Sequence, residues 1–200
     1  MSIVVRHRVG LALALGLGAV ALCCGGPSPG RAGNIADPLL LEDLSGRAFD
    51  PLESSAAAIL FLFVRTDCPI SNRYAPELRR LHDRFAAEVQ FWMVYPDPDE
   101  AIPAIRRHVS EYDLPGRAAR DPEQLLVRRT GATVTPEAAV FAAGEMVYLG
   151  RIDDRFVAFG KTRAAATSHD LADALQAVLD GIPVPESRTR AIGCFIPELK

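Results

Sequence analysis

Ala57-Ala58-Ile59-Leu60-Phe61-Leu62-Phe63-Val64-Arg65-Thr66-Asp67-Cys68-Pro69-Ile70-Ser71-Asn72-Arg73-Tyr74-Ala75-Pro76 is the stretch on which the rest of the chain depends. The unbroken apolar run Ala57 to Val64 reads as a strand buried on both faces, the form taken in a parallel sheet covered by helices. It stops at a short polar turn that carries one cysteine, with proline directly behind it. Proline suits the first turn of a helix, where its missing N–H would have had no intrahelical partner. Cys68 therefore stands at the carboxyl end of a strand and the amino end of a helix. Free N–H groups and the positive end of the helix dipole favour a thiolate there, and a thiolate is a nucleophile.

Outward from this point the chain alternates strands and helices. Upstream, Leu39 to Leu44, Ser45-Gly46 and Arg47 to Phe49 read as a strand, a tight turn and a short second strand. Downstream, Leu78, Leu81, Phe85 and Val89 recur at helical spacing, with Glu77, Arg79, Arg80, Asp83 and Arg84 on the solvated face. Val89 to Tyr95 is a second buried strand, broken by Pro96-Asp97-Pro98-Asp99. Ala101 to Tyr112 reads as a helix that tolerates Pro103 only in its first turn. Asp121-Pro122 reads as an N-cap and first helical residue of a short helix reaching Thr130, ended by Gly131. Ala138–Ala142 and Met146–Arg151 flank a hairpin turn at Ala143-Gly144-Glu145. Ser168-His169-Asp170 opens a last helix with apolar face Leu171, Leu175 and Val178-Leu179, ended by Gly181. The order predicts one α/β domain with a central mixed sheet flanked by helices, over 34–182. An extended tail follows over 183–200, whose prolines exclude a helix.

The cysteine segment resembles the active-site segment of the thioredoxin superfamily. Cys68-Pro69-Ile70-Ser71 is similar to its Cys-x-x-Cys with serine in second place. Pro76 stands eight residues after Cys68, as the helix-kinking proline of that family often does. Thr135-Pro136 resembles the cis-proline loop that faces the nucleophile. Length and the Asp-Cys-Pro-Ile-Ser-Asn form look most like redoxins, peroxiredoxin-like (AhpC/TSA) and TlpA-like. The resemblance covers roughly residues 38–180 and implies the thioredoxin fold with an N-terminal β-hairpin. It implies a thiol-dependent, antioxidant-type oxidoreductase acting on a protein thiol or disulfide, or on a small peroxide, with an external thiol reductant and no cofactor. It also implies that Thr135 and Pro136 align substrate beside the sulfur, with Thr66 and Ser71 as further positioning residues.

The departures from these patterns narrow the chemistry. Ser71 cannot resolve a mixed disulfide, so a local dithiol exchange is excluded. Peroxiredoxins carry proline seven and threonine three residues before their cysteine; here those places hold Phe61 and Arg65, and Thr66 is one position off. Copper chaperones of the Sco type would need cysteine where Asn72 stands, and His7, His82, His108 and His169 show no ligand spacing. Arg65 and Arg73 are near enough in sequence to stabilise a thiolate, and Asp67 opposes it. Outside the leader, Cys194 is the other cysteine. It is open to three roles: resolving thiol, structural disulfide partner of Cys68 in a non-catalytic binding or scaffold module, or free thiol. Tyr74 and Trp92 read as core or edge aromatics, and Arg151-Ile152-Asp153-Asp154-Arg155 as a solvated, salt-bridged loop.

Residues 1–33 differ from the rest. Arg6, His7 and Arg8 precede an apolar stretch to Leu22, then Gly, Pro and Ser dominate, as in a secretory leader. Cys23-Cys24-Gly25-Gly26 offers a lipid-attachment cysteine at Cys23 or Cys24, without the usual small residue ahead of it. Otherwise cleavage falls within Gly30-Arg31-Ala32-Gly33. Export to the periplasm or envelope is the resulting expectation. Removing the leader's three arginines leaves 19 basic against 25 acidic residues, a balance that argues against nucleic acid.

Overall fold

The computed structural model describes residues 39–199. The leader, with Cys23 and Cys24, lies outside the described residues. In chain order the elements are β1 (Leu41–Asp43), β2 (Ala48–Phe49), β3 (Ala58–Phe63), α1 (Pro69–Phe85), β4 (Val89–Tyr95) and α2 (Ile102–Glu111). They continue with β5 (Arg117–Arg120), α3 (Leu125–Thr130), β6 (Val134–Thr135), β7 (Glu137–Ala142) and β8 (Glu145–Gly150). Last come β9 (Phe156–Ala158), β10 (Lys161–Thr162), α4 (Asp170–Leu179) and β11 (Cys194–Phe195). The main sheet has the order β2-β1-β5-β4-β3-β7-β8. β3 is an interior strand beside the middle strand β4, parallel to β4 and antiparallel to β7.

The apolar run of β3 is buried on both faces, as its composition requires. Leu60 and Leu62 face one core with Leu78 of α1, Ile105 of α2 and Leu175 of α4. Ile59, Phe61 and Phe63 face the other, with Leu126 of α3, Leu39 and Leu41. Trp92 lies in this second core, its ring stacked on Phe49 at 4.8 Å. This is the thioredoxin fold, a mixed sheet between helices, and it carries the expected N-terminal hairpin.

One strand was not expected, and three expectations need correction. Arg117–Arg120 is a strand, although its composition (Arg-Ala-Ala-Arg) carries no strand signal. Pairing with β4 on one side and β1 on the other holds it. Helix α3 begins at Leu125, not at Pro122. Asp121 still caps it from outside, its carboxylate accepting from the N–H groups of Leu125 (2.7 Å) and Val127 (3.0 Å) across a left-handed Gln124. Glu77 is buried rather than solvated, paired with Arg80 and Arg155. The 151–155 segment is likewise no solvated loop. Asp153 and Asp154 are buried, Asp153 accepts from the Tyr74 hydroxyl at 2.6 Å, and Arg151 forks onto Asp170.

The tail is extended, and it lies on the domain. Its Thr189 N–H donates to the Leu149 carbonyl at 3.1 Å, alongside β8. It then crosses to β6, where β11 pairs antiparallel with Cys194 opposite Thr135 and Phe195 opposite Val134.

Candidate functional site

Cys68 is the N-cap of α1, in extended backbone conformation, with Pro69 in the first turn. Its sulfur accepts from the Ser71 N–H at 3.5 Å, and its carbonyl accepts from the Asn72 N–H at 3.1 Å. As a thiol it donates to the Thr135 carbonyl at 2.9 Å, so β3, α1 and the loop before β7 converge on one sulfur. Thr135-Pro136 is a cis peptide. Cys194 enters from the arm opposite Thr135, and its carbonyl accepts from the Thr135 hydroxyl at 3.5 Å.

A sulfur that attacks a client has to meet it at the surface, and Cys68 does not: it is 0% exposed. It touches the α1-side core, yet its immediate partners are polar ones from Ser71, Thr135 and Cys194. Burial is the largest single influence and pushes its pKa up. The Ser71 hydroxyl and N–H, the Cys194 thiol and Thr135 act the other way and together outweigh it, leaving Cys68 below an ordinary thiol. The Ser71 hydroxyl is buried beside the sulfur and has no hydrogen-bond partner among the described residues, so it is free to turn its proton to the sulfur when the thiol ionises. Cys194 is pushed up to about 11, first by burial and then by hydrogen bonding to, and repulsion from, the Cys68 sulfur.

The other residues singled out in the sequence divide between this contact and the loop before it. Ser71, Thr135 and Pro136 are all buried around Cys68. Arg65 is held by Asp67 (3.0 Å) and Asp97 (3.2 Å), and donates to the Phe195 carbonyl of the arm (3.3 Å). Its charge lowers the pKa of Cys194. Arg73 is exposed on α1, and no hydrogen bond or ion pair joins it to either cysteine. Thr66 does not reach the sulfur by hydrogen bond; its N–H and hydroxyl both donate to Glu100, at 2.6 and 2.7 Å.

Glu100 and its neighbours were not found by sequence reading. Burial raises the Glu100 pKa first, against the two Thr66 hydrogen bonds that lower it. The Thr66 carbonyl accepts from the Asn72 amide at 3.4 Å. That leaves the Asn72 oxygen for His108 Nε2 at 2.8 Å, while His108 Nδ1 meets the Tyr95 hydroxyl at 2.8 Å. The loop carrying Cys68 is thus fixed from two sides by partners 34 to 36 residues away in sequence. No spacing rule would have joined them. Among the described residues, no group of three or more His, Cys, Asp or Glu side chains is placed to hold a metal ion.

Fold and site together define a thioredoxin-fold domain with one cysteine at the helix start and a second on a returning arm. No family model matches the chain, and no curated protein matches it. Among solved structures, it is similar to an uncharacterized conserved protein of Geobacillus kaustophilus, at 26% identity and TM-score 0.70, covering 82% of this chain and 90% of that one. It is also similar to a hypothetical protein of Sinorhizobium meliloti, at 25% identity and TM-score 0.67, covering 79% and 89%. A Mycobacterium tuberculosis protein, DsbF, solved in mixed oxidized and reduced forms, shares the fold at 19% identity and TM-score 0.52, covering 70% and 95%.

Proposed function

We propose that this protein is a thiol–disulfide oxidoreductase in which Cys68 attacks and Cys194, brought by the C-terminal arm, resolves. The observation that carries this reading is that both cysteines, each with a free thiol, converge on Thr135: Cys68 donates to its carbonyl at 2.9 Å, and the pairing of β11 with β6 sets Cys194 opposite it. In the first step the Cys68 thiolate bonds to one sulfur of a client disulfide, and the other client sulfur leaves as a thiolate. While Cys68 is an anion, Cys194 holds its proton and stabilises that anion. Once Cys68 is in a mixed disulfide, the repulsion that raised Cys194 is gone and its proton comes off more easily. Cys194 then bonds to Cys68 Sγ and expels the second client thiolate. Two electrons pass to the client, and an external thiol reductant regenerates the pair; run in reverse, the cycle oxidises a client dithiol. The leader-like residues 1–33 support a role outside the cytoplasm, periplasmic or envelope-bound, where such exchange is useful. A fold relative from Mycobacterium tuberculosis is described as a secreted disulfide oxidoreductase.

The complete burial of Cys68 favours a second reading, a non-catalytic module in which a Cys68–Cys194 disulfide is structural. One experiment separates the two. Non-reducing mass mapping is combined with turnover assays on a protein disulfide and on hydrogen peroxide. A Cys68–Cys194 bond that forms and is reduced in step with client turnover supports exchange. A permanent bond without turnover supports the module. Sulfenic acid on Cys68 with peroxide turnover alone moves the activity to the peroxidase class.

A further inference from the structure

Four arm residues, Gly193–Ile196, lie along β6 in the manner of a bound peptide, beside a Cys68 that has no exposure. Among the described residues, β6 has β11 as its one partner strand. Each arm position meets a different demand. Gly193 packs against the Thr135 carbonyl, where an added Cβ would stand only 2.2 Å from the oxygen, so no side chain fits. Cys194 lies opposite Thr135, whose carbonyl accepts from the Cys68 thiol at 2.9 Å. Phe195 is 76% exposed, and only its carbonyl is held, by Arg65 at 3.3 Å. Ile196 donates its N–H to the Thr133 carbonyl at 3.0 Å and packs its side chain on the second core. Upstream, the Thr189 hydroxyl accepts from the Arg151 N–H at 3.0 Å and meets the Tyr148 hydroxyl at 2.7 Å, which anchors the arm before it crosses. Beside the arm runs a groove of about 720 Å³ whose lining includes Phe159, Phe195, Arg188 and Glu137.

Resting on the thiol–disulfide reading, we propose that Gly193–Ile196 is a tethered stand-in for the client. The same place on β6 takes an extended polypeptide segment with a small residue, then cysteine, then any residue, then a bulky apolar one. The arm swings off about its Thr189 anchor to admit that segment, and Cys68 is unreachable until it does. After Cys68 has bonded to the client cysteine and the client's other sulfur has left as a thiolate, the arm returns. Its pairing with β6 displaces the client strand as Cys194 bonds to Cys68 Sγ and the client sulfur departs as the second thiolate. Release of product is thereby coupled to resolution. Peptide strands add to exposed sheet edges through main-chain hydrogen bonds, with side-chain pockets setting preference.

The test uses the full chain. Gly193→Val expels the arm sterically, and Ile196→Pro removes the N–H that bonds Thr133, a second route should the first variant fail to fold. The probe is a labelled peptide of the arm's own sequence with serine for cysteine, Ala-Ile-Gly-Ser-Phe-Ile-Pro, followed by fluorescence anisotropy. Binding at least tenfold tighter to the variants than to the unmutated chain is expected, and it should be lost when the peptide's glycine is replaced by valine. Equal binding to all three chains, indifference to that valine, or no binding to a variant with native circular dichroism overturns the proposal. So does dimerisation of a variant through exchanged arms without peptide binding. Alkylation of Cys68 in the same variants keeps the two readings apart. Rapid reaction at mildly acidic pH without peptide binding overturns the stand-in and leaves the redox reading intact. Peptide binding with an inert Cys68 overturns the redox reading, and the client chemistry with it.

Discussion

Replacing Ser71 by alanine isolates the interaction that most favours the Cys68 anion. The hydroxyl is buried, makes no hydrogen bond among the described residues, and is the leading group acting against burial, so the anion can claim its proton. The Ser71 N–H at 3.5 Å is unaffected by the change, and the helix keeps its start at Pro69. A hydrogen bond to a charged group is worth about 1.5–3 kcal/mol. With about 1.4 kcal/mol per factor of ten, the thiolate fraction at a fixed pH below the thiol range falls about ten- to hundredfold. The assay is the rate of iodoacetamide alkylation of Cys68 from pH 5 to 10, read by mass spectrometry. Alkylation requires the arm to open, but opening enters both chains equally and cancels in the ratio of rates. The two profiles should differ most at low pH and converge at high pH, where both sulfurs are ionised. A uniform change at every pH means that the substitution only loosened the arm. Equal rates at pH 6 refute the claim that the hydroxyl holds the anion.

Cys194→Ser should trap a client as a stable mixed disulfide on Cys68, with turnover lost and the trapped adduct visible on non-reducing gels. His108 has a pKa lowered from 6.5, first by burial, so the folded state resists its protonation while the unfolded state does not. Stability from this group is complete above about 6.5 and falls as pH drops below it. His108→Gln keeps partners for Asn72 and Tyr95 and should flatten the urea-midpoint curve between pH 7 and 5; an unchanged slope assigns that pH dependence to other groups. Leu78→Ala, at a side chain of α1 with no exposure, should cost about 2–5 kcal/mol in denaturant unfolding. A loss under 1 kcal/mol would mean that α1 is not packed on the sheet as described.

Much of the fold was legible because its signals are local. A wholly apolar octet, a Cys-Pro junction, helical spacing of Leu78, Leu81 and Phe85, and the Ala143-Gly144 turn each carry a strand, helix or hairpin by themselves. Both turn residues have positive φ, as the hairpin reading requires. Arg117–Arg120 escaped notice because neighbouring strands make it a strand, and its own side chains do not. Glu77, Asp153 and Asp154 misled in the same way: an acidic residue reads as solvated until the arginines, hydroxyls and N–H groups that receive it are in place.

At the site, the sequence alone determined that Cys68 stands at a helix start and that Ser71 cannot serve as a resolving thiol. Those conclusions follow from adjacency and residue chemistry, which need no coordinates. Only the tertiary structure decided that the tail turns back onto β6, that Gly193 leaves room for it, and that Cys194 and Cys68, 126 positions apart, therefore both stand at Thr135. It also decided that Arg65 serves the arm while Arg73 is exposed, and that Glu100 and His108 brace the cysteine loop. Contacts between distant segments depend on how packed layers bring strand edges together, a property of the whole fold that no local window of sequence encodes.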